Sequence, residues 1–355
     1  MGMPELNISF SEAARTVITR GSRGIVGMIL KDSIYKGSGI TILGSGDIPK
    51  TMTESNKKQI KMALIGYDNM PKKVLCYIID SASEEIDYTD AFAYFETNKI
   101  NYLVVPDVET DEMTDVVVEW VKKQRESGNM IKAVLPNTKA DCEAIVNCTT
   151  AWVNDGTTQY TTEQYCARIA GLLAGTPARI SATYASLPEM TDCERRTKEE
   201  LDAAVNSGEF VVWWDGEKVK TGRAVTSLTT TTIEKGDSFK KIKIVEAMDM
   251  MKEDITKSAQ DSYLGRYENS WENKCLLMSA IMGYFKELQD QKIVKSYNVD
   301  IDIDAVADYL KAKGTDIEDM SDEDIRQADT GEKVFLAGRV KIYDVIEDIY
   351  LPITI

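Results

Sequence analysis

Histidine is absent from all 355 residues. Its absence removes the commonest general base, the usual activator of a serine or cysteine nucleophile, and the commonest metal ligand. Any chemistry would have to run on carboxylates, lysine, tyrosine or arginine, so catalysis is disfavoured and no catalytic, cofactor-binding or metal residue is assigned. Cysteines are few and scattered. Cys76, Cys142, Cys148, Cys166, Cys193 and Cys275 contain no Cys-x-x-Cys spacing and sit in apolar or helical surroundings, which reads as reduced packing residues rather than a disulfide frame or zinc site. No apolar run approaches a membrane span, and residues 1–10 lack a basic region followed by an apolar core, so the expectation is a protein made and kept in the cytosol, without membrane insertion. Phosphate-cradling motifs are missing as well. Gly44-Ser-Gly46 continues into Asp47, Ile48 and Pro49, and no Gly-x-x-x-x-Gly-Lys-Ser/Thr occurs, so the pairs Gly37/Gly39 and Gly44/Gly46 read as loop punctuation. With 42 basic against 58 acidic residues the net charge is −16. That disfavours nucleic acid and fits either solubility or a partner with a basic face.

The length permits two or more domains with real cores. From residue 24 to about 136, strands (24–31, 40–43, 74–80, 102–106, 130–135) alternate with helices (53–67, 87–97, 112–127). Such spacing predicts a parallel or mixed α/β sheet, a layered domain that could in principle bind a nucleotide at its strand ends. Carboxylates there, such as Asp80 and Asp107, keep open the alternative of a metal- or nucleotide-dependent enzyme. Residues 144–232 change register, with strands at 144–147 and 209–214 and helices at 162–173 and 198–206. Trp213-Trp214-Asp215-Gly216 is a hairpin signal, with the aromatic pair serving as core and rim.

After the threonines at 229–232 the sequence turns helical. Phe239, Ile242, Val245, Met248, Met251 (or Lys252) and Ile255 recur at three- and four-residue steps before Gly265; Asn269 or Ser270 then caps a helix striped by Trp271, Cys275, Met278, Met282, Phe285 and Leu288. Asp300-Ile-Asp302-Ile-Asp304 begins like a calcium loop. Its sixth position is Ala305 and its twelfth Lys311, which excludes that loop and leaves a solvated strand face leading into a helix at 305–313. Asp316, Glu318, Asp319, Asp322, Glu323 and Asp324 make a charged, exposed connection to the final strands.

Both chain ends carry period-two apolar patterns. Leu6, Ile8 and Phe10 alternate with Asn7 and Ser9. Val334, Leu336, Val340 and Ile342 form one row, and Ile349, Leu351, Ile353 and Ile355 a second that alternates with Tyr350, Pro352 and Thr354. Leaving that last row in water would forgo about 1.5–3 kcal/mol per side chain that could be buried. Pro352 removes a ladder donor and favours an edge position, and an apolar edge is a template for another chain. Two readings remain: the strands close the protein's own sheet, or one is added across a subunit boundary.

Four stretches, in this order and spacing, resemble the contractile tail sheath proteins of bacteriophages and phage-tail-like bacteriocins, in their short clostridial form. They are residues 4–10 with 23–31, Arg168-Ile-Ala-Gly-Leu-Leu-Ala-Gly-Thr-Pro177 with Ser181 and Thr183, Lys243-Ile-Val-Glu-Ala-Met-Asp249 with Asp254, 263–265 and Asn269, and the closing 340–355. The resemblance implies an N-terminal arm and linker (1–20), an outer α/β region (21–230) with room for two subdomains, a helix-rich C-terminal sheath domain (231–343) and a C-terminal arm (344–355). The small sheet of that C-terminal domain would be completed by arms of neighbouring copies, here Leu6, Ile8 and Phe10, and Ile349, Leu351, Ile353 and Ile355. It further implies a non-enzymatic subunit that polymerises around a tail tube, contacts baseplate and tail terminator proteins, assembles in the host cytoplasm and ends in a virion tail or released particle. Residues 11–20 and 344–348 would be hinges, and 305–327 the partly electrostatic contact to the tube. This chain lacks the large insertions of longer sheaths. Another self-assembling shell or surface-layer protein is the remaining alternative.

Overall fold

A strand buried on both faces reads as a continuous apolar run, and β1 (Ile25–Asp32) is one: Val26, Met28 and Leu30 pack to one side of the sheet, Ile25 and Ile29 to the other. This computed structural model describes residues 18, 21, 23–83 and 86–354. The chain forms two compact units, one of Gly21–Glu253 with Tyr343–Ile355, the other including Asp254–Ile342.

In the first unit, β1 is followed by β2 (Ser38–Ile42), α1 (Glu54–Ile65), β3 (Lys73–Asp80), α2 (Thr89–Thr97), β4 (Tyr102–Val104), α3 (Thr114–Glu126), β5 (Lys132–Pro136) and β6 (Ile145–Cys148). Next come β7 (Trp152–Asn154), β8 (Gln159–Thr161), α4 (Thr162–Ala174), β9 (Asp192–Cys193), α5 (Lys198–Asn206), β10 (Glu209–Phe210), β11 (Val212–Trp214) and β12 (Val219–Thr221). The main sheet runs β10-β6-β5-β4-β1-β3-β2 and is parallel except for β2, which pairs antiparallel to β3 at one edge. The expected mixed α/β layer is therefore present. One apolar core lies between the sheet and α1 with α4, the other between the sheet and α2 with α3. β7, β8 and β9 form a small antiparallel sheet, and β11 and β12 form the hairpin expected after Trp214. The carboxylate of Asp215 accepts from the backbone of Glu217 and Lys218 and closes its turn.

The Arg168–Pro177 stretch owes its composition to close packing. A Cβ on Gly171 would lie 1.9 Å from the Ala63 carbonyl oxygen, and one on Gly175 would lie 2.1 Å from that of Asn69, so α4 can meet α1 and its following loop only as glycine. Arg168 is 2% exposed, with its Nη1 donating to the Gly66 carbonyl at 2.8 Å and its Nε to Glu189. Gly44-Ser-Gly46 opens a single 3-10 turn, and the Asp47 carboxylate already accepts from the backbone N–H groups of Leu43 and Gly44. A carboxylate thus occupies the place a phosphate would need.

α6 (Ile242–Ser262) begins after a 3-10 turn, three residues later than the first residue of its apolar series, Phe239. The second unit continues with α7 (Trp271–Asp290), β13 (Val294–Ile301), α8 (Ile303–Ala312), α9 (Asp322–Gln327) and β14 (Leu336–Ile342). Ser270 caps α7 by accepting from Asn273, and Asp302 caps α8 by accepting from Ala305. Asp300 pairs with Arg326 at 2.5 Å, so two of the three carboxylates of the calcium-like run are engaged structurally. Asn269, expected as a possible cap, instead donates from Nδ2 to Thr330, Gly331 and Lys333 and holds that turn. Among the described residues β13 and β14 pair only with each other, antiparallel, with a bulge between Val294 and Ser296, while α7 packs on β13.

The acidic connection at 316–324 is exposed, as expected, and a capping box between Ser321 and Asp324 starts α9 within it. Residues 349–354, expected as a strand, pair with no other strand among the described residues. Alternation encodes a capacity to pair, not a partner.

Candidate interaction site

α6 is fixed by charge before it contributes to a site. Glu246, Asp249 and Glu253 fall on one stripe at steps of three and four, and meet four cations. Lys132 on β5 lies 2.9 Å from Glu246 and 2.8 Å from Asp249; Arg125 on α3 grips Asp249 with both Nη atoms, at 3.0 and 2.9 Å; Arg23 and Lys99 each lie 2.9 Å from Glu253. Lys132 is 1% exposed and Asp249 3%. Burial alone would push the Lys132 ammonium down, but Asp249 and Glu246 outweigh it and hold the group above its ordinary value. Burial likewise opposes ionisation of Asp249 and Glu246; Lys132 reverses the outcome at both, helped by Arg125 at Asp249 and by Arg23 at Glu246, and both carboxyls are depressed. The seam is an ionised set of opposed charges.

The fixed first turn of α6 presents Lys243. Lys241 precedes it, Arg223 follows β12, and Thr183 lies in the loop beyond α4, where it bonds Ser181 at 2.9 Å. These residues converge on 343–348. Lys243 donates to the Tyr343 carbonyl, and Lys241 donates to Asp344 and, at 3.3 Å, to Glu347. Thr183 donates to Glu347 at 2.7 Å, and Arg223 to Asp348 at 2.7 Å. Burial lowers the Lys243 ammonium, whereas at Lys241 burial is overcome by Asp344 and Glu347, and Asp348 raises Arg223. The Glu347 side chain is 8% exposed and forms the centre of the set.

Beyond Asp348 the character changes abruptly. Ile349, Leu351 and Ile353 are 81%, 74% and 76% exposed, and Tyr350 is 91%. The single chain leaves this contiguous apolar row uncovered. Leu6, Ile8, Phe10 and Ile355, the other expected arm residues, lie outside the described residues. No local pattern marks Arg223, Lys241 and Glu347 as a set; the only signal is opposite charge in stretches about a hundred residues apart.

The carboxylates of the enzymatic alternative are not brought together. Asp80 ends β3 and pairs with Lys36 at 2.8 Å, while Asp107 follows β4, and β1 stands between those strands. At about 4.8 Å per strand the two ends are roughly 10 Å apart. At the end of β1, beside the switch point to β4 where an open α/β sheet would take a ligand, Lys31 and Tyr88 lie 2.5 and 2.6 Å from the two oxygens of Asp111. Among the described residues no group of three potential metal ligands clusters, and no helix is long and apolar enough to cross a membrane.

Comparison with known proteins places this arrangement. Residues 82–227 match the family described as phage tail sheath protein central domain, and 234–355 the phage tail sheath C-terminal domain. The tail sheath protein of Clostridium phage phiCD119 is 37% identical, covering 99% of both chains. The chain belongs to the phage tail sheath family. It is a tail sheath subunit, a structural protein, as the four sequence stretches implied. The fold agrees: a sheath tail protein from Desulfitobacterium hafniense superposes with a TM-score of 0.71 at 20% identity, over 84% of this sheath chain and 94% of its own. The helical sheath of the anti-feeding prophage, solved in its contracted state, gives 0.71 at 15% identity over 100% and 99%.

Proposed function

We propose that the chain is a non-catalytic subunit that polymerises into a helical cylinder around an inner tail tube and contracts to drive that tube through a target cell envelope. The observation that carries this reading is the apolar row Ile349, Leu351 and Ile353, which stands in solvent in the single chain, while β13 and β14 pair only with each other among the described residues. Burying three such side chains is worth about 5–9 kcal/mol, and a two-stranded sheet with open edges accepts added strands. Residues 349–355 of one copy and Leu6, Ile8 and Phe10 of another then complete the sheet of a third. Residues 231–343 form the sheath's assembly domain and 21–230 its outer part. The free energy of contraction comes from exchange of interfaces between nearly rigid subunits, with no nucleotide hydrolysed.

The exposed acidic groups of α8, α9 and their connection, among them Asp308, Asp316, Glu318, Asp322 and Glu323, suit a tube with a basic outer face. Baseplate and tail terminator proteins meet the two ends of the cylinder. Assembly takes place in the cytoplasm of the host, and the product is a virion tail or a released tail-like particle. Deleting 349–355 tests the reading: the truncated chain folds and stays soluble but forms no cylinders by negative-stain microscopy and sedimentation. Cylinders of normal length from the truncated chain refute it, and flat sheets from the intact chain point to a surface layer instead.

A further inference from the structure

Between the end of β14 at Ile342 and the apolar row starting at Ile349 lie six residues attached to Lys241, Lys243, Arg223 and Thr183. We propose that 343–348 is a releasable tether: held in one state of the sheath and freed in the other, it lengthens the arm that starts at Ile349 by the six residues 343–348. At about 3.3 Å per residue the released stretch adds up to roughly 20 Å of reach, so joined subunits can move apart without their arms letting go.

Three features suit the stretch to release rather than permanent docking. Among the described residues its attachments are all made by protein side chains, without a backbone ladder: Lys241 and Arg223 are about a third exposed, and their partners Asp344 and Asp348 about half. Ile346 adds no apolar plug to them, being 85% exposed. These two partly solvated pairs are weak and screened by salt, which leaves the contacts of the buried Glu347 to Thr183 and Lys241 as the firmest hold, so tension on the arm opens the tether before it strips the apolar row from its strand partner. The charge is matched as well. Asp344, Glu347 and Asp348 face Lys241, Lys243 and Arg223, with Thr183 on the buried Glu347, so the stretch has one home to return to.

The proposal rests on the reading that the arm binds another copy, and its test separates the two. Thr183→Cys, in a Cys275→Ser background that removes the one native thiol not fully buried, places a reporter beneath Glu347. In the soluble chain maleimide labelling of that thiol is slow at low salt and at least tenfold faster in 1 M salt or when Arg223→Ala and Lys241→Ala are added; equal rates overturn the tether whether or not cylinders form. In assembled tails the thiol labels at least tenfold faster after shortening than before. Unchanged labelling in tails that do shorten also overturns the proposal, whereas failure of the intact chain to form cylinders sinks the assembly reading alone.

Discussion

Replacing Asp249 with asparagine keeps the shape of the side chain and removes its charge. In the folded chain this carboxylate accepts two hydrogen bonds from Arg125 and one from Lys132, at 2.8–3.0 Å, with almost no solvent to replace it. The variant leaves the buried Lys132 and the mostly covered Arg125 with one fewer counter-charge; Glu246 remains at 2.9 Å from Lys132, and Glu143 no nearer than 3.9 Å to Arg125. Breaking one member of a buried ion set costs about 3–5 kcal/mol. For a unit of this size that lowers the midpoint of thermal unfolding by roughly 6–20 °C. The difference must also depend on pH. Because the Asp249 carboxyl is depressed in the folded chain, its contribution is complete above the ordinary carboxylate range near pH 4 and is lost as pH falls through the lower folded value. Lys132, raised instead, contributes fully below about pH 10 and less above its folded value. Differential scanning calorimetry of both proteins between pH 3 and 8 reads the effect. Equal midpoints at pH 7, or a gap that stays constant into acid, would show that the seam does not hold α6 by charge.

Further outcomes rest on the same kind of contact. Gly171→Ala drives a Cβ into the backbone of Ala63 and lowers stability by about 2–3 kcal/mol, measured as a fall in the thermal midpoint. Under native conditions a thiol reagent modifies Cys275 rapidly and the five buried cysteines only on unfolding, since burial pushes the Cys76 thiol up to about 12 and holds the Cys166 thiol well above its ordinary value. Reversing the charge of Asp316, Glu318, Asp322 and Glu323 weakens co-sedimentation with tail tubes and leaves self-assembly intact; unchanged tube binding removes these groups from that interface.

Much of the fold is legible in local pattern. β1, α1, α3, α4 and the Trp213-Trp214 hairpin sit within a few residues of their expected positions because each carries a buried apolar pattern, on both faces in β1. β13 is not legible: in Val294-Lys-Ser-Tyr-Asn-Val-Asp-Ile301 only Val294, Val299 and Ile301 are buried, too sparse a row for either period. α9 is hidden by its acidic run, although Ser321 and Asp324 at capping-box spacing are a usable sign. At the site, the apolar row at 349–353 is plain in the sequence, but its anchorage is not. Lys241, Arg223 and Thr183 reach their partners across 103, 125 and 164 residues of chain, and no local periodicity spans such separations.

The stripe of Glu246, Asp249 and Glu253 has a mechanical consequence. An apolar helix face slides and rolls over a sheet at little cost, since one methyl contact replaces another. A row of carboxylates seated on fixed cations does not. Turning α6 by one residue swings the row through about 100° and strips every charge of its partner, so the helix behaves as a keyed shaft, locked against rotation when the subunit is loaded.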